Sequence, residues 1–239
     1  LAPTQLSPGN AVSFLRLNAS QTSFLFLTNN STVNEVTSDS RFSQIGSELS
    51  FESIIDQVVL SPSTANGFVI TQLEAHPIIT SKLKLAGPSI KFAGELIDVT
   101  MSPTHHYALS SADRTIKVGN FQDQKLVTRV TAHKLPARFI RFNHDSSAIV
   151  TFGSPREETG NRVIQTVSIA GDSIVKRIVV PFSINSVSSK PLANSNELLL
   201  TTVSGEVWRI DRDSLAYKPF HVLSHGAREM VSHSKVDLL

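Results

Sequence analysis

The sequence has no cysteine, which rules out a disulfide framework and any thiolate metal site. It has no apolar run approaching the roughly 18–20 residues that cross a bilayer as a helix, so no direct membrane insertion of that kind is expected. Stretches rich in Glu, Lys and Ala, the material of long helices, are missing. So are a G-x-S-x-G nucleophile elbow, a G-x-G-x-x-G turn and a Walker-type phosphate loop. Aromatic residues make up only 7% of the chain and do not interleave with basic ones as in an RNA-recognition motif. Charged residues are 18% of the total, too few for a disordered or all-helical chain.

What remains is β material. The 239 residues are 40% hydrophobic, mean hydropathy is +0.01, and the apolar content comes mostly from Val, Ile, Leu and Phe in a background of Ser and Thr. The net charge of +2 is unevenly spread. The first 60 residues hold two basic side chains, Arg16 and Arg41, against five acidic ones. Residues 82–141 hold ten basic and four acidic ones, a balance suited to nucleic acid or an acidic partner. The absence of cysteine fits an intracellular protein of the nucleus or cytoplasm.

The organising feature is a repeat. Four segments combine an apolar strand with a short polar turn: Phe14–Ser20, Val58–Ser63, Val99–Thr104 and Ile140–Asp145. With Leu17, Leu60, Met101 and Phe142 taken as equivalent, the steps are 43, 41 and 41 residues. A fifth copy, Val187–Pro191, has its equivalent position 47 residues after Phe142, with the extra length assigned to a polar hairpin at Gly153–Asn161. Such a period has room for four short strands, the size of one propeller blade. Residues 95–135 predict strands at Ile97–Met101, Tyr107–Ser111, Thr115–Gly119 and Lys125–Val130, separated by polar turns.

Within that segment, Ser110-Ser111-Ala112-Asp113-Arg114-Thr115-Ile116-Lys117-Val118 resembles the core of a WD repeat. Thr131-Ala132-His133 resembles the His-bearing turn that opens the next repeat, and Ser204–Asp211 places Trp208 on a third strand. The resemblance implies an all-β, WD40-like β-propeller. It assigns structural roles to Asp113, His133 and Trp208. Gly119-Asn120 stands where the Trp-Asp pair would be, so the Asp-His-Ser/Thr-Trp network of such repeats is incomplete. Apolar packing between blades is expected to carry the fold instead. The expected layout is a leader at 1–10, blades near 11–50, 51–94, 95–135, 136–182 and 183–226, and a further blade start or tail at 227–239. About five blades are visible, part of a larger propeller of about seven.

No catalytic constellation emerges, and no cofactor, metal or small-molecule substrate is expected. Adjacent His105 and His106 would face opposite ways on a strand, and His221, His225 and His233 lack carboxylates at ligand spacing. Asp56 and Asp98, at similar repeat positions, offer a slender basis for a central calcium and a metal-dependent propeller hydrolase. The basic set Lys134, Arg138, Arg141, Arg156, Arg162, Lys176 and Arg177 falls in or beside the fourth blade. Of these, Lys134, Arg138, Arg156 and Arg162 are the candidate partner-binding residues, for an acidic protein surface or RNA phosphates. The expected function is a non-catalytic scaffold or adaptor in a multiprotein complex. Its partners would be other protein subunits, with an RNA-contacting ribonucleoprotein subunit as the alternative.

Overall fold

A computed structural model describes residues 12–17, 23–28, 31–37, 48–61, 64–122, 126–130, 136–153, 162–170, 173–188 and 195–222. Every regular element among them is a strand, and the strands form five antiparallel sheets. The first sheet runs in order β1 (Val12–Leu17), β2 (Ser23–Thr28), β3 (Thr32–Thr37) and β4 (Leu49–Ser50). The second takes β5 (Ile55–Leu60), β6 (Asn66–Thr71) and β7 (Glu74–Ile79), whose outer edge is shared by two short strands, β8 (Lys84–Leu85) and β9 (Ile90–Lys91). The third is β10 (Leu96–Met101), β11 (His106–Ser111), β12 (Ile116–Asn120) and β13 (Leu126–Val130). The fourth is β14 (Phe139–Phe142), β15 (Ala148–Phe152), β16 (Val163–Ser168) and β17 (Ile174–Val179). The fifth is β18 (Ile184–Val187), β19 (Glu197–Thr202), β20 (Glu206–Asp211) and β21 (Tyr217–Val222).

The repeat positions have a structural meaning. Leu17, Leu60, Met101 and Phe142 each end the first strand of a sheet. The fifth first strand ends at Val187, ahead of the position that a 47-residue step implies, and a register shift between Ile184 and Ser186 interrupts its pairing. Most of the proposed long hairpin, residues 154–161, lies outside the described residues.

Contacts divide the chain into two compact units. The first comprises Leu1–Leu96, Met101–His105 and Phe121–Gln124; the second comprises Ile97–Thr100, His106–Asn120 and Lys125–Leu239. In the first unit, Leu25, Leu27 and Val33 of the first sheet pack against Ile55, Val58, Val69 and Ile78 of the second. In the second unit, Ala108, Ile116 and Val118 of the third sheet meet Ile140, Phe142, Ile149 and Val167 of the fourth. Val150, Phe152 and Ile164 of the fourth sheet in turn pack with Ile184, Leu198, Leu200 and Ile210 of the fifth. Middle strands therefore bury both faces, as β11, β15, β16 and β19 do over most of their length. Their near-continuous apolar or Thr/Ser runs follow from that burial.

Close backbone approach is required at Gly67, which pairs with Leu60 across β5 and β6. A Cβ there would stand 2.7 Å from the Val59 carbonyl oxygen and 2.9 Å from Leu60 Cδ2. The carbonyl belongs to the ladder and cannot swing aside, so Gly67→Ala is expected to cost about 1–3 kcal/mol through overpacking. Chemical denaturation of the variant checks this; an unchanged midpoint would show that the two strands separate freely.

Candidate interaction surface

Three turns of the second unit share one local design. An aspartate accepts the backbone N–H and hydroxyl of a Ser or Thr that follows it, which closes the turn locally. Asp113 Oδ1 accepts from Thr115 N at 2.9 Å and Thr115 Oγ1 at 2.5 Å. Asp145 Oδ1 accepts from Ser147 N at 2.9 Å and Ser147 Oγ at 2.6 Å. Asp211 Oδ1 accepts from Ser214 N at 2.7 Å and Ser214 Oγ at 2.8 Å. Burial alone would raise the Asp211 carboxyl, but these bonds, with others from Asp213 and Asn196, together hold it below the ordinary value. Asp113 thus serves the turn between β11 and β12, while His133 lies outside the described residues. Trp208, on the third strand of its sheet, stacks on Phe182 with ring centroids 4.4 Å apart and donates its indole N–H to Glu206 at 3.3 Å.

Arg141 belongs to the basic set of the fourth blade but is not a solvated charge. Its side chain is buried, 9% exposed, and it binds groups from three sheets. Nη1 donates to Asp98 Oδ2 on β10 at 2.6 Å and to the Ile140 carbonyl on β14 at 2.6 Å. Nε donates to the Ser188 carbonyl at 2.8 Å and Nη2 to the Val187 carbonyl at 3.2 Å, at the end of β18. Asp98 Oδ2 also accepts the Ile140 N–H at 2.8 Å. The planar guanidinium suits this fan of acceptors, which a lysine could not serve. Asp98 is therefore committed to a clamp with Arg141 and the Ile140 N–H, which opposes a role as a calcium ligand. Among the described residues no group of three His, Asp or Glu side chains is placed to hold a metal ion.

A second tie joins the fourth and fifth sheets. Arg212 donates to the Asn196 side-chain oxygen at 3.0 Å and to the Phe142 carbonyl at 3.1 Å, and Asp213 accepts the His144 N–H at 3.2 Å. Burial pulls the Arg212 guanidinium below its usual value, opposed by Asp213 and Asp211. Lys176 Nζ donates to the Ser214 carbonyl. Another of the basic residues is thus engaged in structure.

The candidate rim is what remains. Arg138 immediately precedes β14 and Arg162 immediately precedes β16. Phe139 and Ile164 both pair with Phe152, the last residue of β15, so the two arginines stand at the same end of the fourth sheet. Arg138 donates its N–H to the Phe152 carbonyl at 2.9 Å, and its guanidinium lies 5.0 Å from the Phe139 ring centroid. Arg162 is exposed, and its carbonyl accepts the Val180 N–H at 2.9 Å. Lys134 and Arg156 lie outside the described residues.

Sequence reasoning missed a groove of about 840 Å³ in the first unit. Its lining includes Phe51, Ile54, Leu73 and Leu85 together with Glu52, Asp56, Glu74 and Glu95. The acidic excess of the first 60 residues was the one signal available.

The fold comparison places these features in a known architecture. The chain superposes on a chain in the crystal structure of the Mitotic Checkpoint Complex with a TM-score of 0.72 and 9% sequence identity, over 94% of this chain and 69% of that one. The fold is that of a WD40-like β-propeller. No protein-family model matches the sequence. No curated protein matches it either. Matches extend to 1608 solved chains, so the architecture alone assigns no function.

Proposed function

We propose that this chain is a non-catalytic scaffold or adaptor subunit of an intracellular multiprotein complex, in the nucleus or cytoplasm, binding protein partners through propeller faces and edges. The observation that carries the reading is the placement of Arg138 and Arg162 at one end of the fourth sheet, on a unit whose sheets are tied together by Arg141 and Arg212. Cationic side chains projecting from a rigid support lose little freedom on binding, and their charge selects an acidic partner. The structural neighbour is a chain of the Mitotic Checkpoint Complex, an assembly, which agrees with a subunit role. Lys134 and Arg156, close to these arginines in the sequence, complete the set of proposed partner-binding residues.

The test is co-purification from cells, comparing the wild-type chain with the triple variant Arg138→Ala/Arg156→Ala/Arg162→Ala. The variant is expected to lose at least one partner while melting like wild type. Retention of every partner removes the rim as a site. An RNA-contacting role is the second reading, favoured by the basic residues of 82–141 other than the buried Arg141. It predicts retention on RNA at low salt with a steep decline as salt rises, and no retention rejects it.

A further inference from the structure

The groove of the first unit has the opposite character to the rim, and its walls are built in place. Asp56 is the extra residue of a β-bulge: Ile55 pairs with Thr71 and Gln57 with Ile70, which leaves Asp56 unpaired and turned outward. On the facing side, the Gln72-Leu73 turn is fixed by three bonds. Phe92 N donates to the Leu73 carbonyl at 2.9 Å, Leu96 N to the Gln72 carbonyl at 3.1 Å, and Gln72 Nε2 to Glu95 Oε1 at 3.0 Å. The Phe51 ring rests against His76 with centroids 4.9 Å apart.

Apolar side chains are left in solvent along this surface. Ile54 is 67% exposed, Leu73 45% and Leu85 49%. Such side chains gathered in one concavity mark a surface that another molecule covers. The polar lining is of one sign. Glu74 pairs with Lys91 at 3.4 Å, but among the described residues Glu52, Asp56 and Glu95 form no ion pair. Burial favours the neutral form of His76, with Glu74 opposing, so the imidazole offsets little of this charge. An open, one-signed and partly apolar groove differs from enclosed cofactor pockets, which carry few polar groups.

We propose that this groove docks an extended segment of a partner protein in which lysine or arginine alternates with large aliphatic residues. An extended chain sends alternate side chains to opposite faces, so one row would cover Ile54, Leu73 and Leu85 while basic neighbours reach the carboxylates. The inference goes beyond the rim: it gives the first unit its own partner, selected by the opposite charge.

The test uses the purified chain and labelled synthetic peptides, so it is independent of the rim and of co-purification. Fluorescence anisotropy is expected to show saturable binding of a short peptide alternating leucine and lysine. Peptides alternating serine with lysine, or leucine with glutamate, are expected to bind at least about tenfold more weakly. Glu52→Lys/Asp56→Lys, both exposed, should weaken the leucine–lysine peptide about tenfold at low salt and less at high salt. If that variant melts early, Leu73→Ser supplies the same comparison from a solvent-exposed turn, with an expected loss of about threefold or more. Absence of saturable binding, equal affinity for the serine–lysine peptide, or undiminished affinity in both variants would overturn the proposal. A wild-type dimer that the charge reversal disperses would also overturn it, because the occupant would then be a second copy of the chain.

Discussion

Replacing Arg141 with methionine should destabilise the chain by about 3–5 kcal/mol, a loss of about 6–20 °C in melting temperature for a protein of this size. The size of the effect follows from what the substitution leaves behind. Asp98, whose side chain is 15% exposed, would keep a carboxylate with its counter-charge removed. The Val187 and Ser188 carbonyls would lose their donors from the guanidinium. Buried groups stripped of partners cost their full desolvation, which is larger than the net value of the bonds when made. Asp98→Asn should be milder, because its amide oxygen still accepts the Ile140 N–H. Arg141→Lys should recover little: one ammonium on a flexible stem cannot reach acceptors on three strands at once. Urea denaturation of the three variants ranks them directly.

The second large effect is expected at Phe152, which is 1% exposed in the cluster joining the fourth and fifth sheets. Phe152→Ala should cost about 3–5 kcal/mol, from lost apolar transfer and the cavity left among Val150, Ile164, Phe182 and Leu198. The informative comparison is Asp113→Ala. In a WD repeat with a complete Asp-His-Ser/Thr-Trp network, that aspartate would matter to the whole blade. Here it closes a turn through Thr115, and its loss should cost about 1 kcal/mol. Equilibrium unfolding of the pair decides whether apolar packing or a polar network carries these sheets. A cost at Asp113 equal to that at Phe152 would return the weight to the polar network.

Much of the architecture was legible because it rests on local rules. Strand alternation and Pro/Ser/Asp turn chemistry recur every blade, so Leu17, Leu60, Met101 and Phe142 could be aligned without knowing that each ends a first strand. In the third sheet the predicted strands fall on β10 to β13 because the polar turns between them are short and carry no competing apolar pattern. The fifth first strand was less well placed because the fourth repeat is longer than the others, and a fixed step does not say where in the repeat the extra residues fall.

The sites were less legible, for one physical reason. Arg141 meets Asp98 across 43 positions of sequence and Ser188 across 47. In one dimension such an arginine reads as a solvated charge. Arg138 and Arg162 could be tied to one rim because the β14–β15 and β15–β16 pairings bring both to the end of β15. The groove draws on separate segments from Leu49 to Leu96 that no period links, so its apolar and acidic lining reads only as exposed turns.

A rigid platform in the second unit requires that Arg141 act through Asp98 and not merely fill space. A double-mutant cycle on Asp98→Ala and Arg141→Met, read by urea denaturation, measures that coupling directly. A favourable coupling of about 2–3 kcal/mol between the two side chains is predicted, with the double variant less destabilised than the sum of the singles. Additive effects, with a coupling near zero, would contradict the clamp.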